Sequence, residues 1–138
     1  MSNGTLIRVI PKTLFDFGYL AAGATDEIIV AKALNIIPYS SAHLWVRVYQ
    51  RHIGSSALVK VVATGALPAE DTQQSFLEST STELEITGTP PVLSSVSLTA
   101  VGGVLAPYMQ IAVQGVQASS ATNIGVEISI DVLVRCCG

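Results

Sequence analysis

At 138 residues the chain matches one ordinary domain, long enough to bury roughly two thirds of its unfolded surface in a single core. Charged residues make up 12%, about half the usual share, and the seven Lys and Arg form no run in a chain of net charge −3, which speaks against electrostatic binding to nucleic acid or to an anionic membrane. The missing charge is replaced by 14 Ser and 11 Thr, and no positive segment leads into an unbroken apolar run, so no secretion signal is read and synthesis in the cytoplasm is expected.

In chain order, Met1 to Gly4 read as a flexible end, and Thr5 to Ile10 and Asp26 to Leu34 as strands rich in Val, Ile, Leu and Thr. Ala42 to Ile53 gives a stronger signal. Leu44, Val46 and Val48 alternate with Trp45, Arg47, Tyr49 and Arg51, the period of a strand with one buried side. Ala57 to Thr64 follows as a further strand. Ala69 to Leu77 is the sole helix candidate, entered through Pro68 with Glu70 and Asp71 where a helix dipole favours them, although a polar loop accounts for the same residues.

Thr82 to Thr87, Val92 to Val101 and Tyr108 to Val116 are the next predicted strands. In the last, Val126, Ile128, Ile130, Val132 and Val134 alternate with Glu127, Ser129, Asp131, Leu133 and Arg135. Gly, Pro, Ser and Asn punctuate the eight segments at short intervals. That spacing predicts an all-β fold with little or no helix, an antiparallel β-sandwich of jelly-roll type that forms one domain over residues 1–138.

From Ile86 to Val126, 41 consecutive residues carry no Asp, Glu, Lys, Arg or His. Ser94, Ser95, Gly102, Gly103 and Pro107 break every apolar run before it is long enough to span a bilayer. The reading is an uncharged face touched by protein, since interface cores are depleted in charge, with Leu98 and Val113 as candidate contact residues. Trp45, Arg47, Tyr49 and Arg51 share one side of their strand and form a second candidate contact platform. For Trp45 the competing placement, in the core, is favoured; Arg47 and Arg51 are read as contacts.

Adjacent Cys136 and Cys137 point to opposite sides of an extended chain and are read chiefly as unpaired thiols or a disordered end, otherwise as an intersubunit crosslink. His43 and His52, nine residues apart, fall on opposite faces of a regular strand, so no shared site is expected without a bulge. Asp26-Glu27 and Glu70-Asp71 lack the alternating acidic loop of a calcium site, and Glu83 and Glu85 share a solvated face. No catalytic, metal or cofactor motif is read, and no enzyme activity is expected.

In this compact, Ser/Thr-rich, weakly charged β character the whole chain resembles small decoration, head or tail proteins of bacteriophage particles. The expected function is therefore that of a non-enzymatic, homo-oligomeric structural protein. The alternative is a carbohydrate-binding sandwich that stacks sugars on Trp45 and Tyr49.

Overall fold

The computed structural model describes residues 4–20, 23–54, 57–68, 75–98, 105–117 and 122–136. Within them lie eight strands: β1 (Gly4–Leu20), β2 (Thr25–Asn35), β3 (Ser41–His52), β4 (Ala57–Pro68), β5 (Ser75–Glu85), β6 (Val92–Ser97), β7 (Tyr108–Gln117) and β8 (Thr122–Arg135). They form two four-stranded sheets in the orders β1-β8-β3-β6 and β2-β7-β4-β5, every neighbouring pair antiparallel. Successive strands mostly switch sheets, as in a jelly roll, which is the architecture expected from the turn spacing.

The core lies between the sheets and follows from period two. Val126, Ile128, Ile130, Val132 and Val134 of β8 are buried together with Leu44, Val46 and Val48 of β3. From the other sheet Val59, Val61 and Ala63 of β4 and Met109, Ile111 and Val113 of β7 complete the cluster. At about 1.5–3 kcal/mol for each large apolar side chain removed from water, this cluster dominates the favourable side of folding.

The charge-free stretch does not make one face. It runs through edge strand β6, then β7, which lies between β2 and β4, and on into β8, which lies between β1 and β3. Ile111, Ala112 and Val113 are consecutive and all buried: Ile111 and Val113 point into the core, and the small Ala112 of the outward face is flanked in its row by Ile29 and Val62. Leu98 and Val113, expected at an interface, are core residues, 6% and 0% exposed. Charge is missing there because desolvating it inside a sheet is expensive.

Other expectations are also corrected. The first strand continues well past Ile10, through Pro11 and Lys12, to Leu20. Proline is accommodated because β1 is an edge strand and its register against β8 skips from Ile10 to Thr13. Gly4, expected in a flexible end, pairs with Arg135, while residues 1–3 lie outside the described residues. Of the helix candidate, Ser75, Phe76 and Leu77 begin β5 and the preceding residues 69–74 lie outside the described residues.

Candidate assembly surface

The outward face of the β1-β8-β3-β6 sheet gathers the side chains that core packing leaves over. Pairing sets them in rows across the sheet: Leu6, Leu133, His43 and Ser97; then Arg8, Asp131, Trp45 and Ser95; then Ser129, Arg47 and Leu93. Asp131 and Ser129 are 2% and 0% exposed although they point away from the core, so their neighbours on this face cover them.

Asp131 is the electrostatic centre of the face. Arg8 Nε donates to its Oδ1 at 2.6 Å and Arg47 Nη1 donates to its Oδ2. Two charge-assisted bonds satisfy both oxygens of a carboxylate that has little water. The arginines are about half exposed, at 52% and 44% of their side chains. Leu6, Trp45, Arg47 and Leu93 surround Asp131 in one shallow depression, and Leu6 and Leu93 are each more than half exposed.

Trp45, for which the core was favoured, is half-buried on the outward face, since Leu44, Val46 and Val48 take the core side. Its ring lies 5.0 Å from that of His43, whose Nδ1 is 3.1 Å from Ser97 Oγ. Tyr49 shares the outward face: its hydroxyl is 3.3 Å from Ser129 Oγ and Lys12 Nζ sits 4.9 Å from the ring centre. The two rings thus flank Arg47 but each is packed against a neighbour.

A register shift between Val48 and Gln50 changes the parity of β3. Gln50 then pairs with Glu127, and Arg51 pairs with the core residue Val126 and donates from Nη1 to Gly88 O at 3.1 Å. Arg51 therefore leaves the platform on which simple alternation placed it. The same shift brings His52 opposite Gly125 and leaves His43 opposite Leu133, so both histidines lie on the outward face, at opposite ends of the strand. Cys136, expected as an unpaired thiol, is disulfide-bonded, and Cys137 lies outside the described residues.

The outward face of the second sheet has another character. Glu27, Gln114, Lys60 and Glu85 form one row, and Ile29, Ala112, Val62 and Glu83 the next. Lys60 Nζ bonds Glu83 at 2.9 Å, and Gln114 Nε2 donates to Glu27 at 2.5 Å. Asp26 accepts its neighbour's backbone N–H, and Glu70 and Asp71 lie outside the described residues. Among the described residues no three His, Cys, Asp or Glu side chains are grouped to hold a metal ion.

The reading of the sequence missed the Asp131 cluster and the exposed Leu6 and Leu93. Alternation did place Asp131 away from the apolar side of β8. Its partner Arg8, however, is 123 residues distant, and only the sheet order brings the two together.

Strand order and burial define an eight-stranded jelly-roll sandwich with a guanidinium-carboxylate cluster on one outer face. No protein family and no curated protein matches the chain. In fold it is similar to solved structures of infectious bursal disease virus. The Gx strain structure gives a TM-score of 0.57 at 14% identity, over 99% of this chain and 33% of that chain. The VP2 subviral particle gives 0.55 at 13% identity over 99% and 33%, and the derived T=1 particles give 0.56 at 14% over 99% and 32%. The chain spans about one third of the length of those proteins, and at such identities the likeness is one of fold.

Proposed function

We propose that the chain is a non-enzymatic structural protein that assembles with copies of itself as a component of a virus-type particle. The observation that carries this reading is the likeness in fold, over 99% of the chain, to structures of infectious bursal disease virus and its subviral particle. Its surface supports the same reading. Leu6 and Leu93, each more than half exposed, share one depression with Trp45, and grouped exposed apolar side chains mark protein contacts. The finer reading, a decoration, head or tail protein of a bacteriophage, rests on the Ser/Thr-rich, weakly charged composition.

Light scattering behind a sizing column, at low micromolar concentration and above, tests self-assembly. A discrete oligomer is expected; a 14.4 kDa monomer throughout would overturn the reading. A carbohydrate-binding sandwich is the second reading, favoured by the outward place of Trp45 and opposed by the lysine over the Tyr49 ring. Because the chain has one Trp, its fluorescence reports on that site directly. A change on titration with soluble glycans would favour this second reading, and an unchanged spectrum the first.

A further inference from the structure

The two sheets carry opposite excesses of charge. Five of the seven basic residues, Arg8, Lys12, Arg47, Arg51 and Arg135, lie in β1, β3 and β8. Those strands hold three carboxylates, Asp16, Glu127 and Asp131; with Arg51 off the outward face, four cations stand there against these three, Asp131 bonding Arg8 and Arg47 and Glu127 lying 3.7 Å from Lys12. The second sheet reverses the balance: Asp26, Glu27, Glu78, Glu83 and Glu85 stand against Lys32 and Lys60. In a chain with so little charge, this segregation gives the two sheets opposite sign.

Each outward face also offers apolar area beside its charges. Leu6, Trp45 and Leu93 adjoin the arginines on one. Ile29, which is 44% exposed, lies in the row of Ala112, Val62 and Glu83 on the other. We infer that the outward face of the β1-β8-β3-β6 sheet of one copy docks on the outward face of the β2-β7-β4-β5 sheet of the next, with Arg8, Lys12 and Arg47 meeting Glu83 and Glu85.

This rests on the self-assembly proposed above and names the surfaces that perform it. The contact joins two different faces, so every copy offers one of each to two neighbours, and copies close into a ring or extend as a row according to the rotation between them. A face of four strands and about ten residues measures roughly 20 Å by 30 Å. That is on the order of 600 Å² a side, the lower end of a specific interface, so charge complementarity is what gives this contact its partner and its register.

Charge-swap variants that spare the Asp131 cluster provide the test. Variant one is Glu83→Lys with Glu85→Lys; variant two is Lys12→Glu. Circular dichroism and melting first establish that each folds as the parent does. Light scattering then measures each alone and the two mixed.

Each variant alone is expected to associate about tenfold or more weakly than the parent, because like charges now face one another. The mixture is expected to regain assembly, since each variant carries the face that complements the other. If variant one, properly folded, assembles like the parent, the face-to-face contact is overturned while the structural role stands. If the parent is a monomer throughout, the structural role falls and this contact with it. Should either variant fail to fold, Glu83→Gln with Glu85→Gln gives the decision: weaker assembly supports the contact, and parental assembly overturns it.

Discussion

The ring of Phe17 lies against the backbone of Gly115, so that a Cβ on Gly115 would come within 2.8 Å of a ring carbon. Phe17 belongs to β1 and Gly115 to β7, so the pair locks one sheet onto the other where a side chain on both partners would not fit. Gly115→Ala should destabilise by about 1–3 kcal/mol through overpacking. In a Phe17→Ala background the same change should cost under about 0.5 kcal/mol, because the obstructing ring is gone. A denaturant double-mutant cycle measures this, and an equal cost in both backgrounds would contradict the packing argument.

Asp131 makes the outer face asymmetric in its tolerance. Removing either Arg8 or Arg47 alone leaves the carboxylate one guanidinium, and because both arginines are about half exposed the cost should be about 1 kcal/mol. Arg8→Ala with Arg47→Ala strands a buried charge and should cost about 3 kcal/mol, more than the two single losses together. Asp131→Ala, which lets both arginines return to water, should cost less than that double change. Urea unfolding of the four variants orders them, and an additive double variant would show that Asp131 finds other partners.

Leu98 and Val113 now serve as probes of the core and not of an interface. Leu98→Ala should lower stability by about 2–5 kcal/mol, and Val113→Asp should prevent folding altogether by burying an unpaired carboxylate. Neither should yield a folded monomer. A Val113→Asp chain with parental circular dichroism that merely fails to assemble would restore this residue to a contact surface.

The disulfide at Cys136 predicts a chemical signature. Alkylation of the unfolded chain without reductant should leave Cys136 unmodified, and reduction should expose it; mass spectrometry of the terminal peptide distinguishes the two. Because Cys136 lies beyond the last strand, reduction should move the melting temperature little. Labelling without reductant would show a free thiol instead.

The alternation in Leu44 to Val48 and in Val126 to Val134 is a local property, since successive side chains of a strand must point to opposite faces, and the sequence by itself therefore determined these strands, which side chains share a face and an all-β sandwich. Turn residues marked the breaks for the same local reason, although Pro11 and Ser75 to Leu77 show that an edge position overrides propensity. Only the tertiary structure decided the rest. That Trp45 faces outward depends on which side of β3 meets the second sheet, and that Arg51 leaves its row depends on one extra residue at Tyr49 in pairing with β8. Arg8 and Asp131 meet because the first and last strands are neighbours, and Ile111 to Val113 of the charge-free stretch are buried because β7 is central, while Leu93 of the same stretch is exposed on edge strand β6. Each depends on contacts between segments far apart in the chain, which no local pattern of residues encodes.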